Sequence, residues 1–176
     1  MEIEYLESKE LFKGLRFSVE RRKYRFNKRV VERDVVVFPD TVVILPELDE
    51  KTILLIKQYR PALNQYIYEA PAGVVEPDEP VRKAAERELM EELGYVPNEL
   101  IELGVFYPTP GYSTEKMHFF LARKLEYVGA KPEPYEVIKP VSISIDKAVE
   151  MIRDNLINDL KTIAIILYYL RFISSS

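Results

Sequence analysis

Apolar and charged residues alternate with a period of two across residues 12–38, in FKGLRFSVERRKYRFN and VVERDVVVF, which predicts strands broken near Asn27 and Lys28. Pro39 and Asp40 interrupt the pattern. A continuous apolar run, TVVILPE, follows and reads as a strand buried on both faces. Residues 48–51 supply a turn, and TILLIKQYR returns as its partner. The pattern divides the chain into a small antiparallel appendage at residues 1–38 and a main domain at residues 39–176.

Residues 61–79, PALNQYIYEAPAGVVEPDE, are rich in Pro and Gly and read as extended chain. A helix is expected next, with Asp78 as its N-cap and Pro80 in its first turn, where a missing N–H does no harm. Val81, Ala84, Ala85 and Leu89 form its apolar stripe, and Gly94 stops it. Strands follow at ELGVFYP and KMHFFLARKL with the turn PTPGYSTE between them, and GAKPEPYE forms a loop before VIKPVSI. Two helices, about residues 145–155 and 158–172, end the pattern.

Composition narrows the chemistry. The 176 residues suit one domain, or one with a small appendage. A net charge of −4 offers no bulk attraction to nucleic acid or to an anionic membrane, so an anionic substrate needs local arginines or metal ions. With no cysteine, disulfides, thiol catalysis and Cys-ligated zinc are excluded, and a single histidine rules out His-cluster metal sites. Oxygen ligands remain, and they favour hard cations such as Mg²⁺ or Mn²⁺. The first residues lack a signal peptide's apolar core, and the apolar run at 163–170 is too short to span a bilayer. The expectation is a cytoplasmic protein. Two glutamines, no cysteine and abundant charge lean towards a thermophile.

The densest chemistry lies in GVVEPDEPVRKAAERELMEELGY, residues 73–95. Glu88 and Glu92 are four apart and Glu91 is three from Glu88, so all three carboxylates can share one helix face. Crowded carboxylates repel unless cations neutralise them, and a divalent metal does so. Arg87 stands four before Glu91 and eight after Glu79, placed to hold the turn by charge-assisted hydrogen bonds. A solvated helix face is the plainer reading of the helix alone. The frame around it argues otherwise: Gly73, Glu79, Arg87, Glu88, Leu89, Glu91, Glu92 and Gly94 stand at the spacings of the Nudix box, which this stretch resembles. Tyr95 departs from the pattern, which asks for an aliphatic there.

The resemblance implies an α/β fold, an α/β/α sandwich whose mixed sheet carries the box as loop–helix–loop. It implies metal ligation by Glu88 and Glu92 with Glu91 contributing, and by the Ala72 carbonyl, while Gly73, Glu79, Arg87 and Gly94 shape the box. The implied chemistry is attack on a pyrophosphate by water activated by Mg²⁺, for which Mn²⁺ can substitute.

Outside the box the chain looks like the ADP-ribose pyrophosphatase group, through ILLIKQYRPA, YEAPAG, FYPTPGYSTEKMHFFLA and INDLKTIAIILYYLR, with Pro110 sixteen residues beyond Gly94. This likeness sets Arg60 against the substrate's phosphates or ribose, or else in a surface ion pair. It turns Glu69 toward the site and lets Glu76 meet metal or water. Thr109 is either a phosphate donor or a plain turn residue, and Glu115 either lies near the metals or is surface charge. His118 reads as a packed strand residue. A glutamate of the loop 129–136 orients or deprotonates the attacking water; Glu136 suits that place better than Glu133.

The group's habit also implies a homodimer paired through the N-terminal strands, with Phe17 or Phe26 as candidates to wall the base pocket. The expected partner is therefore a small nucleotide sugar, with no nucleic acid and no membrane. Alternatives within the fold are another nucleoside diphosphate sugar or a dinucleotide as substrate. A non-catalytic nucleotide sensor is the alternative outside enzymology, although no box carboxylate is missing.

Overall fold

Residues 2–130 and 137–174 are described in the structure, a computed structural model. They divide into two compact units: Met1–Asp40 with Phe106–Met117, and Thr41–Val105 with His118–Ser176.

In the first unit, β1 (Ile3–Lys13), β2 (Ser18–Phe26) and β3 (Arg29–Val37) form an antiparallel sheet in that order. Asn27 takes a left-handed φ of 54° in the tight β2–β3 turn, a conformation asparagine tolerates. Alternation gives the sheet two unlike faces. On one, Arg21 forks onto Asp34 at 2.8 and 3.1 Å, Lys23 reaches Glu7 at 2.8 Å, and Arg25 reaches Glu4 at 2.6 Å. On the other, Tyr24 meets Tyr5 edge-on at 5.7 Å and Phe26 at 6.4 Å. The sheet begins earlier than the alternation suggests. Register shifts between Tyr5 and Glu7 and between Glu10 and Phe12 break the period of two in β1 and hide it. The segment Phe106–Met117 belongs to this unit because Val36 N–H donates to Tyr112 O at 2.8 Å and Thr114 N–H to Val36 O at 3.0 Å.

The second unit is built on one sheet. Its strands are β4 (Thr41–Asp49), β5 (Thr52–Arg60), β6 (Gln65–Glu69), β7 (Ala72–Val74), β8 (Tyr95–Phe106), β9 (Met117–Tyr127) and β10 (Ile138–Ser144). The order is β10-β5-β4-β9-β8, with β6 on β5 and β7 on β4. The β4–β5 hairpin splays: Glu47 and Asp49 pair with Ile53 and Thr52, whereas Thr41–Val43 pair with β7 and Ile56–Arg60 with β6. That opening admits Ala70 and Pro71, which join β6 to β7.

Helix α1 (Val81–Leu93) covers one face of the sheet, packing Ala84, Ala85, Leu89 and Leu93 on Val42, Ile44, Leu54, Ile56 and Phe120. Val43 and Leu45, which alternate to the other face, are fully buried too, and α3 (Leu160–Phe172) crosses β4 with Ile165, Ile166 and Tyr169 buried. Each buried Val, Leu, Ile or Phe among them contributes about 1.5–3 kcal/mol. Helix α2 (Ile145–Arg153) is capped by Ser144, which accepts from Lys147 N–H at 3.2 Å. The sandwich of helices around a sheet is the expected α/β class.

One expected detail is corrected. Pro80, not Asp78, is the N-cap of α1, and no side chain caps it. Asp78 has a φ of 63° within a turn closed by Glu79 N–H donating to Glu76 O at 3.1 Å, so it sits outside the helix. Gly94 ends α1 with φ 76°, and a Cβ there would come within 2.7 Å of the Gly129 carbonyl carbon. Among the described residues no helix is long and apolar enough to cross a membrane.

Candidate active site

A strap of five residues, 69–73, runs from the end of β6 into β7, and each residue has its own anchor. Glu69 is almost wholly buried and receives the Arg60 guanidinium as a fork at 2.6 and 2.7 Å, together with Lys161 Nζ. Ala70 N–H donates to Thr162 Oγ1 at 2.7 Å. Pro71 O accepts from Ile44 N–H at 2.9 Å. Ala72 N–H donates to Glu92 Oε2 at 3.1 Å. Gly73 lies against the Glu88 carboxylate, which a Cβ would overlap. The close approach of backbone to carboxylate explains why glycine stands at residue 73.

Arg87 ties this strap to the helix. Nε and Nη2 fork onto Glu79, each at 2.9 Å, and Nη2 also donates to Val74 O at 3.0 Å. Nη1 donates to Glu88 at 2.7 Å and Glu91 at 3.1 Å. Hydrogen bonds from Arg87 hold the Glu79 carboxyl below its usual range, and those from Glu79 and Glu88 raise Arg87 further above its own. Burial alone pushes the Glu69 carboxyl up, but the hydrogen bonds and charges of Arg60 and Lys161 outweigh it and hold it below the ordinary carboxylate range.

Glu79, Arg87, Glu88 and Glu91 are thus joined by one set of hydrogen bonds, and Glu92 and Glu88 meet the strap at Ala72 and Gly73. Glu92 is only 3% exposed, whereas Glu88 and Glu91 are half-buried. Carboxylates and a main-chain carbonyl are hard oxygen donors, and their chemistry fits Mg²⁺ or Mn²⁺. No three acidic side chains among the described residues converge as a finished ligand set, and Arg87 donates to one oxygen each of Glu88 and Glu91. Glu76 is exposed beside this surface, and its N–H donates to Glu79 Oε2 at 3.1 Å.

Arg60 sits at the end of β5, next to the strap rather than in a surface pair; the Glu92 and Asp159 carboxylates add to the field that keeps it charged. Gln58, two residues earlier and buried, has an Oε1 without a hydrogen-bond partner among the described residues. Thr109 and Glu115 lie in the first unit: Thr109 O closes a turn by accepting from Tyr112 and Ser113 N–H, and Glu115 N–H donates to Ser113 Oγ at 3.2 Å. Phe17 and Phe26 belong to that unit too, and His118 stands half-buried in β9. Glu133 and Glu136 lie outside the described residues. Asp159, Lys161 and Thr162 were not singled out in the sequence, although Asp-Leu-Lys-Thr before an apolar run is a legible helix start.

A strap that ends in a glycine, an arginine clamp and three carboxylates on one helix, set beside a mixed sheet, define a Nudix-type hydrolase. Residues 37–159 match the NUDIX domain, and the chain belongs to that family. It is 33% identical over 144 residues to the ADP-ribose pyrophosphatase of Bacillus subtilis (strain 168), covering 81% of this chain and 78% of that protein. It is 31% identical over 144 residues to the methanol dehydrogenase activator of Bacillus methanolicus, with the same coverage of 81% and 78%. A crystal structure of an ADP compounds hydrolase superposes with a TM-score of 0.85 at 24% identity, covering 99% of this chain and 96% of that one, and so shares the fold.

Proposed function

We propose that this Nudix hydrolase cleaves the pyrophosphate bond of ADP-ribose to give AMP and ribose 5-phosphate, with Mg²⁺ as cofactor and Mn²⁺ able to replace it. The observation that carries the reading is the placing of the box carboxylates and the Ala72 strap beside a fixed guanidinium. Identity of 33% to an ADP-ribose pyrophosphatase across most of the chain supports the substrate.

Glu88, Glu91, Glu92 and the Ala72 carbonyl would hold the metal, with Glu76 at its edge. When bound, the cation supplies charge neutralisation on the pyrophosphate and a more acidic water. Arg60 binds the substrate's phosphates or ribose. Its Nε and Nη2 are committed to Glu69, and Nη1, which has no hydrogen bond to the described residues, is the donor offered outward. Thr109 donates to a phosphate, and Glu115 supports the reaction. Glu136, or failing it Glu133, takes the proton from the attacking water. The chain works as a cytoplasmic homodimer joined through residues 1–38. The exposed Ile3 and Tyr5 of β1 share the face of Tyr24 and Phe26 and support that face as one a second copy covers.

A panel of nucleotide pyrophosphates assayed with Mg²⁺, products resolved by chromatography, tests the reading. ADP-ribose is expected to turn over fastest, and chelator to stop the reaction. Full turnover in excess chelator would remove the metal from the mechanism. Faster cleavage of a different nucleotide sugar would reassign the substrate.

A further inference from the structure

The first turn of α3 grips the strap through side chains that the proposed reaction leaves without a role. Thr162 is fully buried; its hydroxyl accepts the Ala70 N–H at 2.7 Å and donates to Asp159 Oδ2 at 2.6 Å. Asp159 caps α3 on the Thr162 N–H at 3.0 Å and also takes Lys161 Nζ at 2.9 Å. Lys161 continues to Glu69, which the Arg60 fork holds from the other side. Thr162 and Ala70 are 92 residues apart in sequence, so this is a tertiary clamp rather than local capping alone.

We infer that Asp159, Lys161 and Thr162 are positioning residues for the hydrolysis, fixing the strap so that the Ala72 carbonyl keeps its spacing from the carboxylates of α1. The inference rests on the metal reading above. Little slack separates the clamp from the donor. Ala70 and Ala72 are joined only through Pro71, whose ring fixes its φ and whose carbonyl is already bonded to Ile44. A buried N–H that loses its acceptor is costly, so Ala70 shifts when the hydroxyl is removed, and Ala72 shifts with it. Misplacement by about 1 Å can cost about a hundredfold in rate.

The test uses the full chain with Thr162→Val, Thr162→Ser and Lys161→Met. It reads amide hydrogen exchange of Ala70 and residues 72–74, Mn²⁺ binding by paramagnetic resonance, and kcat against KM for ADP-ribose. Thr162→Val is expected to speed strap exchange about tenfold, weaken Mn²⁺ binding roughly fivefold and lower kcat about 10- to 100-fold with little change in KM. Thr162→Ser restores all three, and Lys161→Met, which leaves the Ala70 acceptor in place, moves them the same way by less. Should Thr162→Val fail to fold, Lys161→Met carries the same readouts. Unchanged strap exchange overturns the inference, as does fast exchange with wild-type Mn²⁺ binding and kcat, which leaves the clamp purely structural. Glu92→Gln separates the two layers. If it binds Mn²⁺ as the wild type does, the metal reading of the box fails, and strap exchange with kcat in Thr162→Val still decides the clamp.

Discussion

Gly73 and Glu88 occupy adjoining space with no room for a methyl group between them: a Cβ on residue 73 would overlap the Glu88 carboxyl carbon and both its oxygens. Gly73→Ala must therefore push the carboxylate away or displace the strap. Overpacking of this kind costs about 1–3 kcal/mol. The expected result is a modest drop in melting temperature with a much larger fall in kcat, since the displaced group belongs to the proposed metal site. A variant that melts lower yet turns over normally would show that Glu88 need not stand where it does.

Arg87→Lys keeps the charge and removes the fork. A single ammonium cannot hold both Glu79 oxygens, the Val74 carbonyl, Glu88 and Glu91 together. A loss of about 1–3 kcal/mol is expected in urea denaturation, as several partly buried hydrogen bonds go unmade. Stability within about 0.5 kcal/mol of wild type would mean that the clamp contributes nothing net.

Glu69 makes acid stability measurable. Its carboxyl titrates below the ordinary value of 4.5 in the folded chain. The unfolded state therefore takes up the proton first, and the group's stabilisation is present above about 4.5 and lost as pH falls through the folded value. Thermal melts of wild type and Glu69→Gln should differ most near neutrality and converge in acid. A gap that stays constant from pH 7 to pH 3 would assign the effect to packing instead of charge.

The N-terminal sheet has only three strands, with no helix packed on it among the elements of its own unit. A sheet of this size is stable only with an apolar face to bury or an element packed on it. Light scattering should find a dimer at micromolar concentration, and replacing Ile3 and Tyr5, which share one face, with Lys and Ser should yield monomer. An active wild-type monomer would refute this.

The box was readable because its carboxylates interrupt an apolar helical period at fixed intervals, so Glu88, Glu91 and Glu92 stand out against Ala84, Ala85 and Leu89. β4 and β5 were equally plain, since strands buried on both faces are written as apolar runs. What pairing decides was harder to see. The bulges of β1 erase its alternation, and the left-handed Asp78 shifts the helix start by two residues. β6 and β7 are short and lie among prolines, so nothing local marks them as strands. The Lys161–Glu69 pair joins positions 92 apart, and no periodicity reports a contact of that range.

The ion pairs of the N-terminal sheet are exposed, and each is individually weak. Their value lies in discrimination. Between β2 and β3 Arg21 faces Asp34 and Lys23 faces Glu32, while the like-charged couple of this pair of strands, Arg22 opposite Arg33, is offset by Glu20 at 2.8 Å. Slide β3 one way by a residue and Arg21 meets Arg33, Arg25 meets Arg29 and Glu20 meets Asp34, against one gained pair of Arg22 with Glu32. Slide it the other way and Lys23 meets Arg33 while Arg22 meets Asp34, and either slide turns the tyrosine face over with the charged one. The strand carries its own proofreading. A hairpin with little core to hold it still disfavours the first misalignment by charge and both by the exchange of faces, and so keeps one face constant for the proposed dimer.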